Sequence, residues 1–181
     1  MKKILGFIWE ILKIVIIALL IVVPIRYFLF QPFLVRGQSM EPNFTDGDYL
    51  IIDEVSYRLR EPQRGEVVVF KYPKNPSQHY IKRIVALPGE IIEIKEGKVI
   101  ILNEEEGQIL DESEYLSPLL QTPGNVRLSL DGNEYFVLGD NRTSSSDSRR
   151  WGPLPRENIV GRVVIRAWPF TAFAKIEAPA Y

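Results

Sequence analysis

The chain of 181 residues contains no cysteine and only one histidine, His79. Without cysteine it can form no disulfide, no catalytic thiolate, no thiolate-bound metal and no lipid-modified cysteine anchor. One histidine cannot build a His-rich metal site, although His79 alone could serve a Ser-His-Asp triad. We expect no bound metal and no other cofactor. An excess of positive charge is also lacking, since 22 Lys and Arg stand against 23 Asp and Glu. This balance gives no electrostatic reason to expect nucleic acid as a partner.

Long apolar runs are absent apart from one near the N-terminus, Ile14–Ile25. As a helix this run would reach only about 18 Å, short of the roughly 30 Å hydrocarbon core, so a span must extend past Lys13 and Arg26, whose long side chains can reach the interfaces. A cleaved secretory signal and a buried amphipathic helix are the alternatives. No small-x-small cleavage site follows the run, and its apolar character is nearly continuous. We therefore predict a transmembrane anchor within residues 1–30.

Residues 31–181 alternate short β-branched or aromatic runs with turn signals such as Pro88-Gly89. This pattern predicts a mainly β fold, one antiparallel β domain behind an N-terminal transmembrane helix. Residues 103–133 are more polar, and we interpret them as a variable insertion on the sheet. The predicted strands are Phe33–Val35, Tyr49–Ile52, Glu66–Phe70, Tyr80–Ala86, Ile91–Ile94, Lys98–Leu102, Tyr135–Leu138 and Gly161–Ile165.

The segment Gly37–Pro42 places a serine where a predicted strand ends. Pro42 restricts its own backbone and disfavours the helical conformation at Glu41, so Ser39 is expected on a sharp turn. A serine on such a turn can expose its hydroxyl beside free backbone N–H groups, as a nucleophile must. Taken alone, the same residues fit an ordinary turn serine or a helix cap.

The predicted strand Tyr80–Ala86 carries a lysine at position 82. Side chains alternate along a strand, so Lys82 shares a face with Tyr80 and Ile84, whereas His79 is expected to point away from it. If the Lys82 face is buried, loss of water lowers the lysine pKa, and a neutral amine can accept a proton from serine. On its own, the segment also fits a solvated lysine on an edge strand.

A third segment, Gly139–Arg149, is rich in carboxylates, arginines and hydroxyls. Its composition is that of a polar loop, and its serine run could be a flexible linker. It lies, however, between a predicted strand and Trp151-Gly152-Pro153, and not between domains. Such side chains suit a hydrogen-bonded network around a buried ionisable group.

In this order, the three segments resemble motifs of the bacterial type I signal peptidases. The resemblance extends over residues 30–175 and is weakest over residues 103–133. A further strand motif supports it. The matching stretches are the nucleophile motif Ser39-Met40-x-Pro42, the strand motif Arg64-Gly65-Glu66-Val67-Val68-Val69-Phe70, the general-base motif Tyr80-Ile81-Lys82-Arg83 with Leu87-Pro88-Gly89, and the third signature Gly139-Asp140-Asn141-Arg142-x-x-Ser145-x-Asp147-Ser148-Arg149.

The resemblance implies that the chain is a serine endopeptidase with a Ser/Lys dyad. Ser39 would attack the scissile carbonyl, and Lys82 would take its proton and later give it to the leaving amine. The backbone N–H of Ser39 would contribute to the oxyanion hole. Some relatives supply a serine hydroxyl two residues earlier; Gly37 stands there, so a second donor must be a backbone group or water.

The resemblance also implies supporting residues around the dyad. Ser145 would hydrogen-bond the Lys82 amine and orient it. Asp147 and Arg149 would form an ion-pair network, with Arg83 as a further candidate member.

The implied substrates are exported preproteins with small residues at a small-x-small cleavage site. We expect the substrate to lie extended between two strands and to form main-chain hydrogen bonds with both. Alternate residues of a strand face the same way, so two apolar pockets would read the residue before the cut bond and the residue two earlier. The candidate substrate-binding residues are Phe33, Leu34, Val35, Gln38, Tyr80 and Ile81.

Three lysines precede the apolar run and two arginines follow it closely, a small bias toward a cytoplasmic N-terminus. The resemblance implies the same topology, a single-pass protein of the cytoplasmic membrane with residues 31–181 on the extracytoplasmic face. It also implies the lipid bilayer and the secretion translocon as partners.

Two other functions fit the fold. One is a non-catalytic, membrane-tethered assembly or chaperone module, but such a module needs neither Ser39 nor Lys82. The other is a self-cleaving regulator related to the repressor autoproteases, which share a Ser/Lys pair. That function requires a partner domain and an internal cleavage site, whereas this N-terminus is apolar and has no DNA-binding helix pair.

Overall fold

The computed structural model describes residues 2–28, 30–102, 107–179 and 181; for residues 2–5, 21–28, 30 and 31 it describes the backbone alone. The chain begins with a long helix, α1 (Lys2–Phe28), whose described side chains, residues 6–20, are exposed. Within the described part of the chain, no helix has both the length and the apolar character that crossing a membrane requires. The anchor within residues 1–30 stays a prediction.

Short strands make up most of the remaining chain, with one further short helix, α2 (Ser148–Trp151). The described strands are β1 (Phe30–Leu34), β2 (Tyr49–Asp53), β3 (Val67–Tyr72), β4 (Asn75–Ala86), β5 (Ile91–Lys95), β6 (Lys98–Leu102), β7 (Gly107–Ile109), β8 (Val126–Ser129), β9 (Glu134–Leu138), β10 (Leu154–Pro155), β11 (Ile159–Trp168) and β12 (Ala174–Lys175).

These strands form two antiparallel sheets, which confirms the predicted fold class. The larger sheet has eight strands in the order β1-β2-β11-β3-β4-β9-β10, with β12 paired to β11. The smaller sheet has the order β7-β6-β5-β8. In the large sheet, β2, β11 and β3 separate β1 from β4.

Each predicted strand overlaps an observed one, and the largest difference concerns β4. This strand begins at Asn75 and not at Tyr80, because its polar first half pairs with β3 as far as Tyr72. The first five residues of β4 are exposed, so they lack the apolar alternation by which a strand is predicted. The extension carries polar side chains along one wall of the cleft described below.

The segment 103–133, interpreted as an insertion, supplies β7 and β8 to the small sheet. β7 pairs with β6, and β8 pairs with β5. The described residues of the segment therefore complete this sheet in the present chain. Between the two strands, the chain also reaches the third signature through Glu112 and Thr122.

One of three apolar clusters lies directly beneath the turn that carries Ser39. It contains Val35 and Met40, which flank the turn, and Phe44, and all three are almost fully buried. Burial of side chains of this size contributes roughly 1.5–3 kcal/mol each. The cluster thus holds both ends of the turn to the large sheet and leaves its centre at the surface.

Candidate active site

The turn after β1 is fixed at both ends, and Ser39 lies within it. Val35 donates its N–H to the Asp48 carbonyl, 2.9 Å away, and accepts from the N–H of Gly47 at 3.0 Å. Gly37 has a φ of 84°, a left-handed conformation that a side chain disfavours, and its N–H donates to Asp46 Oδ1 at 2.7 Å. This backbone conformation favours a glycine at position 37.

The structure brings Ser39 and Lys82 together. Lys82 Nζ lies 2.7 Å from Ser39 Oγ and 2.7 Å from the carbonyl oxygen of Ile81. Lys82 is 3% exposed, and its amine also lies 5.5 Å from the centre of the Tyr80 ring. The alternative interpretation of Lys82 as a solvated lysine on an edge strand is therefore wrong, because β4 has neighbours on both sides and Lys82 is buried.

Burial determines the protonation of Lys82. Loss of water lowers the pKa of the amine from 10.5 to about 8, and the negative charges of Asp147 and Asp140 oppose this change in part. At pH 7 about a tenth of the molecules then carry a neutral amine, against less than a thousandth for a lysine in water. The dyad can therefore supply a base near neutral pH.

Asp147 and Arg149 form the predicted ion pair. The Arg149 guanidinium donates from Nε to Asp147 Oδ1 and from Nη2 to Oδ2, both at 2.8 Å, and the N–H of Gly139 donates to Oδ2 at 3.1 Å. Burial raises the pKa of the Asp147 carboxyl, but the hydrogen bond and charge of Arg149 outweigh this effect and hold the pKa below its ordinary value. A fixed negative charge therefore remains near Lys82.

The predicted hydrogen bond between Ser145 and Lys82 is not formed. Among the described residues, the buried Ser145 hydroxyl has no hydrogen bond of ordinary geometry, although its contact with Asp147 helps to lower the pKa of that carboxyl. The Lys82 amine bonds instead to Ser39 and Ile81. Gly139 nonetheless places this hydroxyl close to the nucleophile, since a Cβ at position 139 would overlap both Ser145 Oγ and the Ser39 carbonyl oxygen. Ser145 thus lies in the expected region of the site, next to Asp147 and without a direct bond to the Lys82 amine.

Arg83 does not join the Asp147 network. Its guanidinium donates to Asp140, from Nε to Oδ1 at 2.9 Å and from Nη2 to Oδ2 at 2.7 Å, and Nη1 donates to the Gly65 carbonyl. Successive strand residues face opposite sides, so Arg83 and Lys82 meet different partners. The interpretation that Arg83 takes part in the Asp147–Arg149 ion-pair network is therefore wrong.

Residues without an assigned role connect the three motifs. Asn43, next to the nucleophile motif, donates to Asp140 Oδ2 at 2.8 Å and to the Tyr115 carbonyl at 2.9 Å. Arg142 is fully buried, donates from Nε to the Gly139 carbonyl and pairs with Glu112. Asp140 and Arg142 lie within the third signature, whereas no local pattern marks Glu112.

A cleft of about 720 Å³ extends away from Ser39 and Lys82. It lies between β1 with the following turn and β4, and the candidate substrate-binding residues line it on both sides. His79 is also at this cleft, where its ring lies 5.8 Å from the Phe33 ring. Since the Ser39 hydroxyl meets Lys82, the geometry favours the dyad over a His79 triad. The predicted wall residues that line the cleft are Phe33, Leu34, Val35, Gln38, Tyr80 and Ile81.

Comparison with known sequences agrees with the motifs. The family described as signal peptidase, peptidase S26, matches residues 8–168. Probable signal peptidase I-2 of Synechocystis sp. is 39% identical over 165 residues, which cover 88% of this chain and 73% of that protein. Signal peptidase I of Aquifex aeolicus is 32% identical over 204 residues, covering 82% and 80%. The crystal structure of a signal peptidase I from Enterococcus faecalis aligns with a TM-score of 0.47 at 29% identity, over 57% of this chain and 97% of that one.

Proposed function

The chain belongs to the signal peptidase family, peptidase S26, and we propose that it cuts its substrates with Ser39 as nucleophile and Lys82 as general base. It is a serine peptidase of the signal peptidase I type, which removes signal peptides from exported preproteins. The observation that carries the assignment of the dyad is the 2.7 Å contact between Ser39 Oγ and the buried Lys82 Nζ.

In the first half of the reaction, the neutral Lys82 amine takes the proton of the Ser39 hydroxyl as its oxygen attacks the scissile carbonyl. The ammonium that forms is buried, and the nearby charges of Asp147 and Asp140 stabilise it. Lys82 then gives this proton to the leaving amine, which leaves an ester between Ser39 and the signal peptide. In the second half, water attacks the ester with Lys82 again as the base.

The oxyanion of each tetrahedral intermediate needs hydrogen-bond donors beside Ser39. The backbone N–H of Ser39 is available, since it donates to no acceptor among the residues that the structure describes. Gly37 has no hydroxyl, and its own N–H already donates to Asp46. We therefore assign the main oxyanion contact to the Ser39 N–H.

A processing assay tests the dyad. Purified protein is incubated with a labelled preprotein, and the Ser39→Ala and Lys82→Ala variants should each lose cleavage while remaining folded. The double variant should be little worse than either single variant, because the two residues act as a unit. His79→Ala is the matched control from the same cleft; a loss as severe as that of Lys82→Ala would contradict the dyad.

The cleft supports a substrate bound as an extended strand. Main-chain hydrogen bonds to β1 and β4 would hold it without regard to sequence, so pockets for alternate side chains must provide the specificity. We propose that the residue before the cut bond and the residue two earlier are both small. Synthetic leader peptides with Ala, Leu or Phe at each position test this; efficient cleavage after Phe, or indifference at the earlier position, would contradict two pockets.

We also propose that α1 anchors the enzyme in the cytoplasmic membrane, with residues 31–181 outside the cytoplasm and close to the lipid bilayer and the secretion translocon. Ser39 follows the end of α1 at Phe28 closely, and even a fully extended connection would place it within roughly 40 Å of that point. Protease added to intact spheroplasts should digest the catalytic domain. Protection of the domain until lysis would contradict this topology.

A further inference from the structure

The peptide unit between Gln38 and Ser39 is held from one side by two donors. The Gln38 carbonyl accepts from the N–H of Glu41 at 3.2 Å and from the side-chain Nδ2 of Asn141 at 3.1 Å. The N–H of the same peptide unit is that of Ser39. Because a trans peptide is planar, with its N–H opposite to its C=O, fixing the carbonyl also fixes the direction of this N–H.

The contacts of Asn141 determine which end of its amide faces Gln38. Its Oδ1 accepts from Thr143 Oγ1 at 3.1 Å and from the N–H of Ser144 at 3.2 Å. With both of these donors on Oδ1, Nδ2 must face Gln38. The backbone N–H of Asn141 donates to the Ser39 carbonyl at 3.1 Å. One residue of the third signature thus binds the peptide groups on both sides of the nucleophile's Cα.

We infer that Asn141 is a positioning residue for the oxyanion: it holds the Gln38–Ser39 peptide so that the Ser39 N–H points away from Asn141, toward the developing negative charge. This inference rests on the proposed function and deepens it. A carbonyl that accepts hydrogen bonds also makes the N–H of its own peptide a stronger donor. Since Gly37 supplies no hydroxyl, the Ser39 N–H carries more of the oxyanion's stabilisation here, and its alignment matters more.

The test separates transition-state stabilisation from binding and from proton transfer. Asn141→Ala removes the Nδ2 donor and retains the backbone N–H bond to Ser39. We expect kcat to fall about tenfold with KM unchanged. This fall is smaller than the one that removal of an oxyanion donor causes, because the Ser39 N–H is still present. A peptide aldehyde, which forms a tetrahedral adduct with Ser39, should bind about tenfold more weakly, whereas the corresponding peptide alcohol should bind as before. The pH midpoint of kcat should not move.

Thr143→Val is the matched control, because it removes one contact to Asn141 Oδ1 and leaves the Ser144 contact and the Nδ2 donor in place. Its kcat should change less than twofold. Three results for Asn141→Ala would each overturn the inference. They are an equal loss of affinity for the aldehyde and the alcohol, a rise in KM with kcat unchanged, and a shift of the pH midpoint with the same maximal kcat. If Asn141→Ala keeps its kcat while Ser39→Ala is inactive, this inference is wrong and the proposed function stands. If Ser39→Ala is active, the proposed function itself is wrong.

Discussion

Arg83 and Asp140 form a buried, two-pronged ion pair between β4 and the third signature. The same carboxylate accepts from Asn43, which follows the nucleophile turn. Asp140 therefore joins the strand that carries the base, the turn that carries the nucleophile and the loop that carries Ser145. The 2.7 Å contact within the dyad depends on these three segments keeping their relative positions.

The first prediction concerns the stability contributed by this pair. Arg83→Met should reduce the free energy of unfolding by about 3–5 kcal/mol, because it leaves the Asp140 carboxylate buried without its partner. Lys175→Ala, which breaks a pair with Glu177 in which both side chains are exposed, is the control and should cost less than about 1 kcal/mol. Urea unfolding measures both; similar losses would show that the Arg83 pair has no special structural role.

A second prediction concerns the contact between residues 103–133 and the third signature. Glu112→Ala should destabilise the fold by roughly 3 kcal/mol and lower activity, since it leaves the fully buried Arg142 without its ion-pair partner. Asp111→Ala is the neighbouring control, because that side chain is exposed and bonds to Ser113; its effect should be within about 0.5 kcal/mol. If the two variants unfold alike, Glu112 does not support the site.

The third prediction concerns the pH dependence of activity. Lys82 acts as a base only when neutral, and its pKa is about 8. kcat should therefore rise about tenfold per pH unit below that value and level off above it. Steady-state assays between pH 6 and 10 would measure the midpoint. A flat profile across neutral pH would exclude Lys82 as the rate-limiting base.

The fourth prediction concerns stability at the same residue. The folded chain binds the Lys82 proton less tightly than the unfolded chain, so burial of this amine destabilises the fold fully below about pH 8, and the penalty disappears as pH rises toward 10.5. Lys82→Met should therefore raise the free energy of unfolding at pH 6–7, by up to about 3 kcal/mol, while abolishing cleavage. The gain should shrink above pH 8; a gain that is constant to pH 10.5 would mean that it has another origin.

The fifth prediction concerns Ser145. A neutral amine has one lone pair for the Ser39 proton and two N–H groups, of which Ile81 accepts one. The buried Ser145 hydroxyl lies beside the Asp147 carboxylate, and its oxygen lone pairs are suited to accept the other during the reaction. Ser145→Ala should lower kcat by roughly 10- to 100-fold and leave residual cleavage. Thr143→Val, in the same loop, controls for disturbance of the loop. Full activity in Ser145→Ala would show that the Ser145 hydroxyl has no part in the mechanism.

The sequence predicts those parts of the molecule whose signal is local. Alternating apolar residues predict the strands that face the core, and alternation along β4 separates Lys82 from Arg83. Pairings between distant segments leave no such signal. Glu112 and Arg142 are far apart in the chain, and the carboxylate that Arg83 meets depends on how the third signature packs. β7 and β8 are short and partly polar, and they are specified by pairing with β6 and β5 more than by their own residues.

Residue 139 must be glycine while the Ser145 hydroxyl and the Ser39 carbonyl keep their places, because there is no room for a Cβ. One letter of sequence therefore records whether a related chain can adopt this arrangement. In a related protein that retains the serine and lysine motifs but has a larger residue at the position of Gly139, the nucleophile would be displaced. In genome surveys, the gene of such a protein would be counted among degenerate copies, although its two most visible motifs were intact.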